Sequence, residues 1–190
     1  MSKNSKSVKV LFEGDDFLFK KYLEDCNTYF EYGVGDSTIW VLENTKSIIV
    51  SVDTDEKWIN KVNIAKYKDR ININWVNLGE LENWGRPRTY KYRKHFFDYI
   101  SNVWKFNLKA DVILIDGRFR VACFLYSLLN AKHNSIIIFD DYANRPKYHV
   151  VEEVLQVYEK CGRQAFFIVP KVYNKKLTQE LLNNFIYVFD

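Results

Sequence analysis

A glycine turn is the strongest chemical signal in the sequence. It spans Glu31–Thr38 (EYGVGDST), directly after a short apolar run and before a segment of helical composition. Gly33 and Gly35 allow the backbone to turn tightly and let a ligand approach without a Cβ in the way. Ser37 or Thr38 can cap the following helix, whose free N–H groups favour polar or anionic ligand atoms.

The acidic residues around this turn indicate which ligand it suits. Asp53 ends the next predicted strand about 20 residues later, where an acid accepts hydrogen bonds from ribose hydroxyls. A dinucleotide fingerprint would have a third glycine at the position of Thr38. Glu31 can meet the ammonium group of an amino acid, directly or through water, but it would repel a pyrophosphate. The turn therefore favours S-adenosylmethionine over a dinucleotide.

Three carboxylates form a second candidate cluster. Asp116 ends one predicted strand, and Asp140 and Asp141 end the next. In a doubly wound sheet these ends lie beside the crevice at which ligands bind. Three converging carboxylates could hold Mg²⁺, which could orient and activate a substrate hydroxyl. Alternatively, the aspartates cap the helices that follow their strands.

Two arginines follow the first of these carboxylates. Guanidinium groups suit planar anions, so Arg118 and Arg120 are candidates for binding a carboxylate or a phosphate of the substrate. Equally, they could pair with Asp116 and Asp140 in a structural ion network. The sequence leaves both interpretations open.

His149 is the best candidate for a general base among the three histidines. Imidazole titrates near neutral pH, and the residue begins a predicted helix that faces the same edge of the sheet. The alternative is a surface histidine bonded to Asp141. Together with Asp116 and Asp141 it forms the predicted catalytic set, while Tyr142 could line a substrate cleft or simply pack.

The elements that must position these residues are short apolar runs separated by segments of helical length. The predicted strands are Tyr29–Tyr32, Ser47–Val52, Ile71–Val76, Asp111–Ile115, Ser135–Phe139, Ala165–Val169 and Phe185–Phe189. The predicted helices are Asp15–Asp25, Ser37–Asn44, Glu56–Lys66, Phe96–Phe106, Phe119–Lys132 and Lys147–Cys161. This alternation predicts a doubly wound, Rossmann-like α/β fold, with a mostly parallel seven-stranded sheet and helices on both faces. The direction of the last two strands stays open.

One irregular region is long for a loop. Gly79–Lys94 is polar and rich in Trp and Arg. Long ordered loops on an α/β scaffold usually carry specificity. Trp84 and Arg86 are therefore candidates for binding the substrate.

Five strings resemble a bacterial group of class I S-adenosylmethionine-dependent methyltransferase-like proteins. They are Tyr29–Thr38 (YFEYGVGDST), Ser51–Trp58 (SVDTDEKW), the loop Trp84–Pro87 (WGRP), Ile115–Cys123 (IDGRFRVAC) and Phe139–Glu153 (FDDYANRPKYHVVEE). The resemblance extends over Tyr29–Leu155, which is most of the chain. The group's usual turn has a glycine where Asp36 stands here.

The resemblance carries expectations for individual residues. It implies that Glu31, Gly33 and Gly35 touch the methionine part of the cofactor, that Asp53 touches the ribose, and that Asn77 lies near the adenine. The acids after the fourth and fifth strands are also similar to those of metal-dependent O-methyltransferases.

Length, charge and cysteine content limit the possibilities for domain organisation, partners and location. We expect residues 1–10 to form a disordered basic tail and residues 11–190 to form a single domain of ordinary size. The net charge of +4 is small and the tail lacks aromatic interleaving, so no nucleic-acid partner is expected. The three cysteines include no CxxC pair, which favours a reduced cytosol. No apolar run reaches membrane-spanning length, so a cytoplasmic location without a membrane partner is expected.

The expected activity is O- or N-methylation of a small-molecule substrate, for which an anionic acceptor is one candidate class. The alternative is a non-catalytic binding or assembly module that keeps the fold, and Asp36 favours it. A nicotinamide oxidoreductase is disfavoured by Thr38 and Glu31.

The high aromatic content, 17%, is compatible with a core and a homodimer interface rich in Tyr and Phe.

Overall fold

The computed structural model describes residues 10–62 and 64–189. The predicted tail therefore lies outside the described residues, apart from Val10, which is exposed. Seven strands are found in the described part: β1 (Thr28–Tyr32), β2 (Ile48–Asp53), β3 (Ile71–Trp75), β4 (Val112–Ile115), β5 (Ile136–Phe139), β6 (Glu159–Cys161) and β7 (Gln164–Ile168). They form one sheet in the order β3-β2-β1-β4-β5-β7-β6.

The direction of the strands divides the sheet into two parts. Strands β1 to β5 pair in parallel, whereas β7 runs antiparallel to both of its neighbours, β5 and β6. This confirms the predicted doubly wound, mostly parallel, seven-stranded architecture. The carboxyl ends of β1, β2, β4 and β5 meet at one edge, and most of the predicted site residues lie at or just after these ends.

Helices cover both faces of the sheet. They are α1 (Phe17–Leu23), α2 (Asp36–Asn44), α3 (Glu56–Ile59), α4 (Ile64–Tyr67), α5 (Phe96–Ile100), α6 (Arg120–Asn130) and α7 (Lys175–Phe185). Shorter 3₁₀ segments are Phe12–Gly14, Asn83–Gly85, Tyr90–His95, Asn102–Trp104 and Pro146–Glu153. Over the described residues, no helix combines the length and the apolarity that crossing a membrane requires.

Two hydrophobic cores follow from the alternation of side chains along the strands. In β1, Phe30 and Tyr32 belong to one core and Tyr29 belongs to the other, because successive side chains point to opposite faces. Phe124 and Leu128 of α6 close the first core and are fully buried. Strands β4 and β5 are apolar throughout because both faces of the sheet are covered there.

The predicted helix Lys147–Cys161 is wrong. The structure has the 3₁₀ segment Pro146–Glu153 there, followed by β6. The segment is rich in β-branched valine, which lowers helix propensity. Gly162, at a φ of 53°, then makes the two-residue turn that joins β6 to β7.

The predicted strand Phe185–Phe189 is also wrong. Helix α7 runs up to Phe185, and it is capped at its N-terminus by Asn174, whose side chain accepts a hydrogen bond from the Leu177 N–H (3.0 Å). Phe189 packs against Phe96, with 5.6 Å between the ring centroids. A short apolar run does not by itself distinguish a strand from the packed end of a helix.

Candidate active site

A cavity of about 570 Å³ opens at the edge of the sheet where the parallel strands end. One side, which we call the turn end, is lined by Gly33–Ser37, Asp53, Thr54, Trp58 and Trp84. The other side, which we call the arginine end, is lined by Asp116, Arg118, Arg120, Asp141, Arg145 and Arg163. The cavity thus joins two clusters that the sequence places about 80 residues apart.

Gly33 is required by the packing of the backbone. Its φ is 94°, a left-handed conformation that side chains rarely adopt. A Cβ on Gly33 would lie 2.9 Å from backbone atoms of Asp116 and Gly117. A Cβ on Gly117 would in turn overlap the Tyr99 hydroxyl. The turns after β1 and β4 therefore touch backbone to backbone, which brings the two ends of the cavity together.

Gly35 has a different environment. Its backbone is extended, with a φ of −173°, and a Cβ there would meet no atom within 4 Å. Its N–H donates a hydrogen bond to the Thr38 hydroxyl (2.9 Å). The chain's own packing does not demand a glycine at this position, and the free space beside it belongs to the cavity.

Glu31 lies behind the turn and is fully buried. Its carboxylate accepts hydrogen bonds from four hydroxyl groups: Tyr29 (2.9 Å), Ser37 (2.6 Å), Thr38 (2.6 Å) and Ser51 (3.0 Å). Burial raises the pKa of Glu31 to about 7, although the hydroxyl donors oppose this shift. The side chain ties β1 and β2 to the first turn of α2, and it does not line the cavity.

Asp53 both supports the turn and faces the cavity. Its Oδ2 accepts the N–H of Val34 (2.7 Å), and its Oδ1 accepts the N–H groups of Thr54 (2.6 Å) and Asp55 (2.8 Å). Burial raises the pKa of Asp53, while these three donors lower it. The carboxylate is held by neutral donors in one orientation at the turn end.

The carboxylates of the arginine end are clustered and paired with guanidinium groups. Asp116, Asp140 and Asp141 each offer an oxygen atom within 4.8 Å of the others. Asp140 is fully buried and binds Arg163 in bidentate geometry, at 3.0 Å from Nε and 2.7 Å from Nη2. Arg163 also lies 3.6 Å from Asp141 and 3.3 Å from Glu13.

Arg120 is the centre of this network. It is 3% exposed, and it donates to the Asp140 carbonyl (2.7 Å) and to the Asp116 carboxylate (3.0 Å). Asp141 lies 3.2 Å from Arg120 and 2.9 Å from Arg145. Burial and the neighbouring Asp140 raise the pKa of Asp116, and Arg120 opposes this shift.

These contacts test whether the three aspartates fit a divalent cation. Each carboxylate has a guanidinium nitrogen within 3.0 Å, so the charge that a metal would supply is already present. Mg²⁺ would also need near-ideal octahedral geometry and would have to displace the arginines. The residues do not fit a Mg²⁺ site, and the structural ion network considered for Arg120 is the arrangement found.

Besides Glu31, Thr38 and Asp140, four predicted site residues lie outside the lining of this cavity. The His149 Nε2 lies 3.2 Å from the Tyr142 carbonyl, and the two rings stack at 4.6 Å between centroids. Tyr142 is buried and donates to Glu152 (2.7 Å). Asn77 accepts the Gly79 N–H in a surface turn (2.9 Å). The fourth, Arg86, pairs with Glu82 in the loop (2.5 Å).

Several lining residues carried little signal in the sequence: Leu11, Phe12, Glu13, Trp58, Tyr99, Arg145 and Arg163. Arg163 follows Gly162, and a glycine just before an apolar run is a hairpin signal that could have located it. Trp58 belongs to a string that resembles the methyltransferase-like group. Leu11–Glu13 shows no pattern that would place it at the cavity.

The order of the strands and the glycine turn give the chain the Rossmann-like fold of class I S-adenosylmethionine-dependent methyltransferases, and solved structures share this fold. The chain is similar to a methyltransferase-like protein from Silicibacter pomeroyi, with 28% identity and a TM-score of 0.78 over 89% of this chain and 91% of that one. An O-methyltransferase from Bacillus cereus in complex with SAH shares the fold, with 17% identity and a TM-score of 0.52 over 86% and 81% of the two chains. No protein-family model and no curated protein sequence matches the chain.

Proposed function

We propose that this protein binds S-adenosylmethionine at the turn end and transfers its methyl group to a small anionic acceptor at the arginine end. The observation that carries the proposal is the single continuous cavity that joins the glycine turn and Asp53 to the arginine cluster. The similarity to methyltransferase folds supports methylation in general.

The turn end suits the cofactor for physical reasons. Asp53 presents a fixed carboxylate for ribose hydroxyls, and the open side of Gly35 lets the amino-acid part approach the backbone. Glu31 acts from behind by fixing Ser37 and Thr38, so we assign it to positioning the turn. The bound cofactor would supply an electrophilic methyl group.

The arginine end suits an anionic acceptor. Arg145 and Arg163 are partly exposed, with 39% and 23% of their side chains accessible, whereas Arg120 is buried among its partners. A carboxylate or phosphate reaches the site already deprotonated, so it needs no general base. This agrees with the position of His149 away from the cavity lining. Asp116 and Asp141 are the carboxylates that we place beside the transferring methyl group.

Calorimetry with S-adenosylhomocysteine tests the proposal. Gly35→Val should weaken binding by roughly 100-fold, because its side chain would occupy cavity space that the ligand needs, at about 3 kcal/mol. The thermal midpoint should stay unchanged, since a Cβ on Gly35 meets nothing within 4 Å. Asp53→Ala should also weaken binding.

Gly33→Ala is the matched control. It should lower stability by about 3 kcal/mol, through the left-handed backbone and the 2.9 Å approach to Asp116 and Gly117. Absence of S-adenosylhomocysteine binding to the wild type would overturn the proposal. Binding without methylation of any small carboxylate or phosphate would favour the non-catalytic module, and it would exclude the anionic acceptor.

A further inference from the structure

Residues 11–16, which we call the strap, come before α1 and lie at the arginine end of the cavity. Leu11, Phe12 and Glu13 line the cavity. Leu11 is buried, and its N–H donates a hydrogen bond to the Asp16 carboxylate (2.9 Å). The two ends of the strap are therefore tied together, and the residues between them form a loop beside the cavity.

The backbone of the strap bends in an unusual way. Phe12, Glu13 and Gly14 have φ angles of 50°, 62° and 107° in succession. Left-handed conformations are uncommon for residues other than glycine, and they persist only where the surrounding contacts hold them. The Gly14 N–H closes the bend by donating to the Leu11 carbonyl (2.9 Å). In this bent conformation the Glu13 carboxylate lies 3.3 Å from the Nη1 atom of Arg163.

Arg163 divides its guanidinium group between two kinds of partner. Its Nε and Nη2 atoms bind the fully buried carboxylate of Asp140, at 3.0 Å and 2.7 Å. Its Nη1 atom faces Glu13 and lies 3.6 Å from Asp141. The Glu13 side chain is 82% exposed, and an exposed ion pair contributes little to stability. The pair with Asp140 is therefore structural, whereas another anion can replace Glu13 at little cost.

The formal charges at the arginine end favour such an exchange. The cluster consists of four arginines and three aspartates: Arg118, Arg120, Arg145, Arg163, Asp116, Asp140 and Asp141. With every carboxylate ionised, its formal charge is +1, and the carboxylate of Glu13 brings the sum to zero. An anionic group that replaced Glu13 would keep the cluster neutral, so no buried charge would lose its compensation.

We propose that Glu13 holds the position at Arg163 that the anionic group of the acceptor takes over when it binds. The inference rests on the proposed function, and it names the Nη1 atom of Arg163 as the group that receives the acceptor. Glu13 thereby determines specificity, because a ligand needs a negative charge of its own to displace the carboxylate. A neutral ligand leaves Glu13 paired with Arg163.

Titration with inorganic phosphate, followed by nuclear magnetic resonance, tests the exchange. In the wild type, phosphate should shift the Nε–Hε signal of Arg163 and the amide signals of Glu13 and Gly14. Glu13→Gln keeps the size of the side chain and removes its charge. It should bind phosphate about two- to fivefold more tightly than the wild type, the factor that corresponds to one exposed ion pair. Ionic strength is held constant, since salt screens exposed charges.

Two further variants separate the local charge from other causes. Glu80→Gln is the matched control, because Glu80 is 78% exposed, pairs with Arg88 and lies outside the cavity lining. It changes the net charge equally and should leave phosphate affinity unchanged. Glu13→Gly removes the charge but keeps the bend, since glycine adopts a positive φ without strain. It should tighten phosphate binding as much as Glu13→Gln does.

Several outcomes would overturn the inference. They are the absence of phosphate binding, equal affinity of wild type and Glu13→Gln, an equal gain in Glu80→Gln, and a gain in Glu13→Gln that Glu13→Gly does not share. Binding of methylammonium to the wild type but not to Glu13→Gln would also overturn it, because Glu13 would then be a ligand for a cationic acceptor. The phosphate titration contains no cofactor. Failure of the wild type to bind S-adenosylhomocysteine is therefore a separate result, which refutes the proposed function.

Discussion

The two ends of the cavity hold buried carboxylates in opposite ways. At the turn end, Glu31 and Asp53 are surrounded by neutral donors, namely four hydroxyl groups for the first and three backbone N–H groups for the second. At the arginine end, Asp140 and Asp141 are held by the full positive charges of Arg163 and Arg145.

This difference has an energetic meaning. Neutral donors orient a carboxylate without supplying a compensating charge, so burial dominates and the pKa of Glu31 rises to about 7. At the arginine end a guanidinium group supplies the compensating charge for each carboxylate, so each buried charge depends on the presence of the other. We therefore expect the Glu31 site to respond mainly to pH, and the pairs of Asp140 and Asp141 to respond mainly to the loss of a guanidinium partner.

The largest expected effect comes from breaking a charge pair at the arginine end. Arg163→Met would leave the fully buried Asp140 without its bidentate partner. Removing one member of a buried pair costs about 3–5 kcal/mol, and we expect the lower figure because 23% of the Arg163 side chain is accessible. Urea denaturation monitored by circular dichroism measures the free energy of unfolding.

An exposed ion pair serves as the control for this experiment. Arg88 lies 3.2 Å from Glu80, and 59% of its side chain is exposed. Arg88→Met should change the free energy of unfolding by less than about 1 kcal/mol, as is typical of surface pairs. If the two variants lost equal free energy of unfolding, this would contradict the expectation that a buried charge pair contributes more to stability than a surface pair.

The next effect concerns pH at the turn end. The pKa of Glu31 rises from 4.5 to about 7 on burial, so between these pH values the folded protein keeps a proton that the unfolded chain releases. Stability therefore falls as pH increases through this window, by about 3 kcal/mol for this one group. Below pH 4.5 both states hold the proton and the effect vanishes.

Glu31→Gln isolates this contribution. Asp53 and Asp116 also have raised pKa values and act in the same direction, so the comparison is between the pH slopes of wild type and variant. The variant should lose part of the slope between pH 5 and pH 7 in urea denaturation. Identical slopes would show that Glu31 does not retain its proton in the folded state.

The contrast also explains what the sequence could predict. The strands β4 and β5 are apolar on both faces and β1 and β2 are largely so, and such runs can be recognised without any tertiary information. The turn after β1 is equally local, because Gly33 and Gly35 lie within one short string. β6 was missed because three residues on a sheet edge carry almost no periodic signal.

The contacts of individual side chains required the fold. Glu31 was predicted beside the methionine part of the cofactor, but its four hydroxyl donors come from β1, β2 and α2, and only their packing turns the carboxylate away from the cavity. Arg163 is 23 residues from Asp140 and reaches it through an antiparallel hairpin that the sequence did not reveal. Charge pairing across strands has no signature in the order of residues.

The smallest expected effect is the response to divalent cations. Because Asp116, Asp140 and Asp141 already share three guanidinium groups, millimolar Mg²⁺ or Mn²⁺ should leave the thermal midpoint unchanged, and Mn²⁺ should give no bound signal in electron paramagnetic resonance. A ligand present at 100 times its dissociation constant would stabilise the folded state by about 2.7 kcal/mol. A cation that saturated the site would therefore raise the thermal midpoint measurably. A clear upward shift with Mn²⁺ would mean that the cation displaces the arginines. The arginine end would then be a metal site in the loaded protein, and the contrast with the turn end would hold only for the metal-free state.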